Sequence, residues 1–588
     1  MKFRNDINGL RAIAVLPVIF FHAGVIGFNG GFLGVDVFFV ISGFLITANI
    51  IKSQKSDSFS LLSFYDKRAR RILPPLILTL LITTVFSFVF MLPYDLKNFG
   101  QSLVSTSFAA NNILLYLTSG YWSLASEFKP LYHTWSLAVE EQYYFILPII
   151  FILLLKKQKC LKVTVILFFI ISFLSSYLIE NKEFNFLMII TRFWELCAGS
   201  LLAMYMKERV TTKNDAMSII GLFFILYSYY NPYILSNNSA IINLAPVLGT
   251  LMVIAFTKPN SIIYKILSTK LIIIIGLSSY SIYLLHQPIL SFIRLATEGQ
   301  VGSYKQLMWA LLSIPLGYLS WRFVESPFRN KKVVSNKVFY SLIALCFMSF
   351  ISLGLFLNKS YGMQQYYVFS KYSYGVNPQA YADRPYSLAK HNFESDGQKM
   401  LIIGNSFARD IYNALKENDA TDGYEVIYLA NYNNDISLSR NLLSHADVTI
   451  LVSSSGMANK IIAPSTLKAS AIESKNEMDK YSNGNYYYVG TKNFGFNNNF
   501  IKQINWDSSK NYMVEINKSN IYADKIESNI FADNYINLLE LFREKNKTRI
   551  FTDDHRFISF DTDHITKDGA LFLGKRILKT TKLKNIIL

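Results

Sequence analysis

Long apolar runs separated by short polar clusters fill the chain from Met1 to about Leu357, and after that point the pattern changes to short alternating segments. A membrane-spanning helix needs about 20 mostly apolar residues. The first part supplies eleven such stretches, at roughly 10–27, 33–51, 72–92, 136–155, 163–180, 186–206, 217–231, 241–257, 271–293, 305–324 and 338–357. A twelfth candidate, Gln101 to Leu117, carries Asn111 and Asn112 side by side in its middle. With eleven spans and a cytoplasmic N-terminus, the basic loops at Lys67/Arg68/Arg70/Arg71, Lys156/Lys157/Lys159, Lys207/Arg209, Lys258/Lys265 and Arg329/Lys331/Lys332 all face inward. Counting the twelfth would turn the loops at 156 and 207 outward, against the positive-inside rule, so 101–117 is expected to be interfacial or re-entrant. An odd number of spans places everything after Leu357 outside the cytoplasm. A cleavable leader is not expected, because the first apolar stretch holds Arg11 and His22 and leads directly into a second one.

Composition agrees with a membrane protein carrying a second domain. The 588 residues are 51% hydrophobic and only 17% charged, with a mean hydropathy of +0.26. From Met1 to Gly397 there are 34 Lys and Arg against 18 Asp and Glu, whereas from Gln398 to Leu588 the numbers are 24 and 22. The positive excess therefore sits in the apolar half, where it reads as loop anchoring, and a nucleic-acid-binding role is disfavoured. Cys160, Cys197 and Cys346 are the only cysteines, so the second half folds without disulfides if it is exported.

Several polar residues stand inside or at the ends of the apolar stretches, where ionisable groups are expensive and tend to be functional. Arg11 and His22 are eleven residues apart, which places them on nearly one helix face about 16 Å apart along the axis. Asp36 opens the second span, either as a helix-start carboxylate or as a site residue. The segment Phe64 to Pro74 reads as a loop that crowds Lys67, Arg68, Arg70 and Arg71 at the inner mouth of the third span. It serves either as a topology anchor or as an anion clamp, since guanidinium forks bind phosphates in bidentate fashion. Glu140 and Glu141 enter the fourth span seven and eight residues after His133, and only one of the two can point inward.

Six ordered segments carry a resemblance. They are the Arg11/His22 pair, Gly31 to Ile46, Phe64-Tyr65-x-Lys67-Arg68-x-x-Arg71, His133-x-Trp135-Ser136-Leu137-x-x-Glu140-Glu141-Gln142, Ser279 to His286, and Val324-Glu325-Ser326-Pro327-Phe328-Arg329. Together they resemble the membrane acyltransferase-3 family, whose members move acyl groups, usually acetyl from acetyl-coenzyme A, onto extracytoplasmic carbohydrate. By that resemblance Arg11 and His22 are the core catalytic pair, Glu140 is a buried acid, and Arg68 and Arg71 bind the donor, with Asp36 assigned to the same binding region. Lys67 stands where the family commonly has arginine, which keeps the charge and loses the fork.

After a Tyr-, Ser- and Asn-rich stretch at 358–397, expected to be a linker or a small extension on the next domain, Met400 to Ile403 reads as a buried strand. It runs into the turn Gly404-Asn405-Ser406, and a helical pattern follows. A serine at such a strand-to-helix turn is exposed near a helix N-terminus, as a nucleophile requires. Near the C-terminus Asp561 precedes His564 by three residues, the spacing at which a carboxylate can orient an imidazole. Gly-Asn-Ser followed by Asp-x-x-His resembles the SGNH (GDSL-like) esterase family, an α/β three-layer fold. The resemblance makes Ser406 the nucleophile, His564 the general base and Asp561 its orienter. Asn405 replaces the family's usual Asp. The family's oxyanion-hole Gly-x-Asn has its nearest counterpart in Ser455-Gly456-Met457-Ala458-Asn459, at the wrong spacing. Asp553, Asp554, His555 and Asp563 crowd the same region, but without a third His or a cysteine no metal site is expected.

The expected architecture is a multi-span α-helical membrane domain of about eleven helices followed by an extracytoplasmic α/β SGNH-like domain. Its parts are a membrane acyltransferase domain (1–330), an additional span (331–357), a linker (358–397) and the SGNH-like domain (398–588). The resemblances imply a multi-pass protein of the bacterial inner membrane that takes acetyl from cytoplasmic acetyl-coenzyme A to a glycan hydroxyl, with no tightly bound cofactor. The acceptor is O-antigen, another surface polysaccharide or peptidoglycan. A glycan esterase (deacetylase) activity of the exported domain and transport of a lipid-linked saccharide are the competing readings. The topology has a direct check: a reporter fused after Lys359 is expected to be extracytoplasmic and one fused after Lys332 cytoplasmic, and opposite signals would require 101–117 to span.

Overall fold

The computed structural model describes residues 4–55, 59–118, 126–154, 157–208, 212–233, 236–298, 301–364, 378–453, 464–483, 485–503, 512–559 and 561–584. The chain separates into two compact units. The first comprises Met1–Val89, Lys97–Arg294 and Val301–Lys359, and the second Phe90–Leu96, Leu295–Gln300 and Ser360–Leu588.

The first unit is a membrane helical domain. Among the described residues nine helices are long and apolar enough to cross a membrane: Gly31–Ser53, Leu61–Phe90, Thr134–Leu154, Lys159–Leu178, Lys182–Lys207, Ser239–Phe256, Lys270–Ala296, Ser303–Arg329 and Asn336–Lys359. Two of the eleven expected stretches fall short of that standard while still forming helices. Asn5–His22 has 18 residues but is interrupted by Asp6, Asn8 and Arg11, and Asp215–Tyr230 has only 16 residues. At 1.5 Å per residue the second covers about 24 Å, less than a hydrocarbon core of about 30 Å.

The segment 101–117 is not one helix. It divides between Pro93–Ser107 and Asn111–Thr118, with Ala109 at a φ of +51° between them. The two asparagines, costly against lipid, are satisfied by protein. Asn111 donates through Nδ2 to Leu131 O at 3.0 Å and Thr134 Oγ1 at 2.8 Å, and Asn112 donates to Leu187 O at 3.2 Å. The basic cluster expected as a loop is instead helical, because Leu61–Phe90 runs unbroken for 30 residues through Pro74 and Pro75. Lys and Arg are good helix formers, and a 3.1 Å pair between Arg70 and Asp66, one turn apart, supports the added turns.

Close helix approach depends on small residues, since lipid offers no hydrophobic drive to association. A Cβ on Gly43 would lie 1.9 Å from Leu196 O, and one on Gly199 would lie 2.1 Å from Val40 O. The helices Gly34–Lys55 and Ile189–Glu208 therefore touch backbone to backbone.

The second unit is an α/β domain. Its main sheet has five parallel strands, β1 (Gln398–Ile403), β2 (Tyr424–Leu429), β3 (Val448–Val452), β4 (Asn485–Val489) and β6 (Tyr535–Ile536), in the order β2-β1-β3-β4-β6. A small antiparallel sheet joins β5 (Met513–Glu515), β8 (Lys547–Arg549) and β7 (Arg543–Glu544). β1 is buried from Met400 to Ile403, as a strand covered on both faces must be. Leu401 and Ile403 pack with Leu442, Leu443, Ala471, Met478 and Phe531 from three helices. Ser406–Lys416 and Lys567–Thr580 pack against each other. Part of the expected linker, the helix Pro378–Asp383 and the turn Arg384–Leu388, is bound to this unit through Arg384, which contacts Asn413 at 3.1 Å and Glu417 at 3.0 Å.

The helix–helix contact at Gly199 gives a stability test. Gly199→Val should lower the thermal midpoint of the detergent-solubilised chain, with a cost of about 1–3 kcal/mol for overpacking, whereas Gly302→Ala, in open space, should leave it unchanged.

Candidate active sites

In the first unit, four of the residues singled out from sequence meet at one cavity. Arg11 comes from Asn5–His22, Arg68 and Arg71 from Leu61–Phe90, and Glu140 from Thr134–Leu154; Ser42, Tyr144, Tyr280 and Tyr283 line it as well. Arg68 and Arg71 are three residues apart on a helix, so they share a face. Lys67 does not line the cavity, and Arg70 turns to a buried cluster in which it also donates to Asn336 Oδ1 at 2.7 Å and Val334 O at 2.9 Å. The three arginines thus divide into a structural Arg70 and a cavity-facing pair. Arg68 lies 5.0 Å from the ring centroid of Tyr144. Glu140 accepts from Ser42 Oγ at 3.0 Å and Tyr144 OH at 2.9 Å, so both carboxylate oxygens are held. Three guanidinium groups beside one fixed carboxylate give the cavity an excess of fork-shaped donors, chemistry that can bind phosphates in bidentate fashion.

His22 does not line this cavity. It ends its helix, where Nδ1 lies 2.9 Å from Val18 O and so carries the proton, leaving the lone pair on Nε2. Its ring centroid is 5.1 Å from that of His286, which in turn is 5.5 Å from that of His133.

Asp36 is placed apart from Arg68 and Arg71. Fully buried at the start of Gly34–Lys55, it pairs at 3.1 Å with Arg192, which also holds Glu195 at 2.8 Å, and Asn243 donates to Glu195 at 3.1 Å. A carboxylate in the bundle takes the nearest buried guanidinium as partner, and for Asp36 that partner arrives from a helix more than 150 residues away. Sequence reasoning passed over Arg192 and Glu195, although two opposite charges three residues apart within the apolar stretch 186–206 were a visible signal. It also gave no role to His286 or Tyr283.

In the second unit, Ser406 opens the helix Ser406–Lys416 directly beyond the carboxyl end of β1. β1 has β2 on one side and β3 on the other, and ligand crevices of open parallel sheets form at such a reversal of strand order. The turn needs Gly404, which has φ +138° and would bring a Cβ to 3.0 Å from Val452 O. Asn405 caps the helix by accepting from Phe407 N at 2.9 Å, the same service an Asp would perform.

Ser406 Oγ is 2.6 Å from His564 Nε2, and His564 Nδ1 is 2.6 Å from Asp561 Oδ2. The other Asp561 oxygen accepts from the backbone N–H groups of His564 at 2.7 Å and Asp563 at 3.0 Å. Burial pushes the Asp561 carboxyl up, but the adjoining imidazole and the two backbone donors outweigh it, so the group stays below its usual value of 3.8. The carboxylate fixes Nδ1–H, and Nε2 is left to take the serine proton. Sequence gave no sign of the buried pair Lys492–Asp410, 2.8 Å apart, which ties the loop after β4 to the serine helix. The oxyanion-hole candidate Ser455–Asn459 lies outside the described residues.

Comparison with known proteins adds four findings. The model of a family described as an acyltransferase domain, acyltransferase-3, matches residues 4–321. An O-acetyltransferase, OatA, of Staphylococcus aureus (strain NCTC 8325 / PS 47) is 30% identical over 356 residues, which is 56% of this chain and 58% of the relative. The peptidoglycan O-acetyltransferase OatA of Listeria monocytogenes serovar 1/2a is 30% identical over 359 residues, 57% of each chain, so this chain spans little more than half the length of these relatives. Among solved structures, the periplasmic domain of a lipopolysaccharide acetyltransferase of Salmonella ser. Paratyphi A matches 36% of this chain and 97% of its own, at 16% identity and a TM-score of 0.29.

The serine site makes its own prediction. Asp561→Asn in the full chain should cut hydrolysis of a small activated acetyl ester by about 10³–10⁴-fold, because the imidazole loses its tautomer and its counter-charge. The depressed carboxyl contributes stability that is present above its unfolded value and lost as pH falls through the folded one. The Asn variant should therefore lack that component of acid unfolding below about pH 4. Acid-titration melts followed by circular dichroism would show it.

Proposed function

Because the chain belongs to the acyltransferase-3 family of membrane proteins, we propose that it is an O-acetyltransferase that carries acetyl from cytoplasmic acetyl-coenzyme A to the hydroxyl of a glycan outside the cytoplasmic membrane. The observation that carries this reading is the meeting of Arg11, Arg68, Arg71 and Glu140 at one cavity within apolar helices. A neutral saccharide has no use for three guanidinium groups, whereas the phosphates of coenzyme A do. This favours acyl transfer over transport of a neutral saccharide.

In the proposed sequence Arg68 and Arg71 hold the donor phosphates and Glu140 steadies Tyr144 and Ser42 around them. His22 Nε2 attacks the thioester carbonyl: a C–N bond forms, the C–S bond breaks and the coenzyme leaves as thiolate. The acetyl group then passes outward. The eleven apolar stretches and the inward basic loops support an extracytoplasmic second unit, since acetyl-coenzyme A is confined to the cytoplasm and the serine needs an acylated intermediary. Ser406 Oγ takes the acetyl group as its proton moves to His564 Nε2 and from there to the oxygen of the departing intermediary, whose bond to the acetyl carbon breaks. A sugar hydroxyl then attacks the acetyl-serine, giving its proton to the same imidazole, which returns it to Ser406 Oγ as the bond from serine to the acetyl carbon breaks and the acetate ester departs. The hydrogen-bonded Ser406, His564 and Asp561 support an SGNH-type assignment for the second unit. The names of the relatives support a cell-wall or surface glycan as acceptor.

Two variants test the relay. His22→Ala is expected to abolish both consumption of acetyl-coenzyme A by the purified chain and acetylation of envelope glycan. Ser406→Ala is expected to leave the first reaction with the donor and to abolish glycan labelling. Normal glycan acetylation in the Ser406→Ala strain would remove the second unit from the reaction, and increased acetylation would make it a deacetylase.

A further inference from the structure

His22 belongs to a group of three imidazoles drawn from three parts of the first unit. Its ring is 5.1 Å from His286, on the helix Lys270–Ala296, and His286 is 5.5 Å from His133, which precedes Thr134–Leu154. His286 is fully buried and His133 is 2% exposed. The nearby cation is Arg294, which donates to the backbone oxygen of His22.

His286 Nδ1 bonds Tyr283 O one turn back, so its proton is on Nδ1 and its lone pair on Nε2, the same tautomer that Val18 imposes on His22. His286 Nε2 is buried and has no hydrogen-bond partner among the described residues. Leaving a buried acceptor unmet is costly, and an apolar side chain in the same place would avoid that cost. An orphaned buried group in a native fold calls for a missing partner. The neighbouring Tyr283 supplies the connection to substrate. Its side chain lines the arginine cavity, its ring centroid is 5.1 Å from that of His286, and its hydroxyl is fixed by Ser136 Oγ at 2.7 Å and His133 O at 3.1 Å. The wall of the cavity is thus one ring thick between the donor-binding arginines and the imidazole pair.

We propose that His286 is a second catalytic imidazole of the membrane unit: the general base that takes the proton of the hydroxyl-bearing intermediary that carries acetyl onward to Ser406, while His22 holds the acetyl group. This rests on the reading of the membrane unit as an acetyl-coenzyme A-dependent transferase. With Nδ1–H held by Val18 O, His22 acylated at Nε2 is a cationic acyl-imidazolium, a strong acyl donor. The intermediary's hydroxyl oxygen forms a bond to the acetyl carbon as its proton passes to His286 Nε2. The C–N bond breaks, and its electron pair returns to His22. The proton on His286 then neutralises the coenzyme A thiolate released in the first half, so the sum is ROH and acetyl thioester going to acetate ester and thiol.

The test uses membrane vesicles carrying the full chain with their own acceptor pool, supplied with [¹⁴C]acetyl-coenzyme A. His286→Ala should lower kcat for label incorporation by about 100-fold, within the usual range for a general base, with KM for acetyl-coenzyme A changed less than threefold because the arginine cavity is untouched. Added imidazole should restore at least a tenth of the lost rate, and 1,2,4-triazole, a ring of the same size and far lower basicity, should not. His286→Gln, which fills the space without a basic nitrogen, should be as slow as the alanine variant. Equal rescue by the two azoles, or a Gln variant within threefold of wild type, would overturn the proposal and leave His286 a packing residue. A His22→Ala chain that still consumes acetyl-coenzyme A would instead overturn the underlying reading, so the two failures are distinguishable.

Discussion

A guanidinium group cannot be left alone in a low-dielectric helical bundle, and this constraint arranges the membrane unit. Arg70 is paired with Asp66, Arg192 with Asp36 and Glu195, and Arg329 with Glu325. Among the described residues, Arg11, Arg68 and Arg71 form no such ion pair, and they are the three that line the cavity. Removing charge from water costs several kcal/mol per ion unless a partner repays it. A cavity that gathers three unpaired cations has the charge to receive an anion, which is what the proposed function asks of it. The Arg192–Asp36 pair cross-links helices distant in sequence.

The second unit obeys a different constraint. A parallel sheet must cover both faces with helices, so its reactive groups gather at the carboxyl ends of the strands. Gly404 turns the chain out of β1, Asn405 caps the next helix, and Ser406 is left at its first position. His564 meets it from the C-terminal segment because Asp561 uses one oxygen for the imidazole and the other for the backbone of the same turn. The serine site is thus fixed by two local motifs about 155 residues apart, brought into register by the sheet between them.

How much of this was legible depended on whether a feature is local. Apolar runs of about 20 residues and the Gly-Asn-Ser and Asp-x-x-His segments are local, and they led to a membrane helical unit, an α/β unit and the residues that meet in each. The limits of helices were harder to read. Nothing in Phe64 to Pro74 says whether basic residues leave or extend a helix, and the Asp66–Arg70 pair that favours extension gains its further partners Lys331 and Tyr340 only in the fold. Pairings across the bundle were not legible at all. Asp36 finds Arg192, and His22 finds His286, only because helices pack, so Asp36 was grouped with the wrong arginines and His286 received no role.

The central claim is that the membrane cavity recognises a phosphorylated acyl donor through Arg68 and Arg71. Equilibrium binding of acetyl-coenzyme A and of S-acetyl-pantetheine, which has the thioester and no phosphates, to the purified full chain and to its Arg68→Ala/Arg71→Ala variant tests it directly. At about 1.5–3 kcal/mol for each charge-assisted contact, the wild type should prefer acetyl-coenzyme A by about 100-fold or more. The double variant should lose that preference while binding the pantetheine ester unchanged. A double variant that keeps the full preference would leave the two arginines as anchors of membrane topology only.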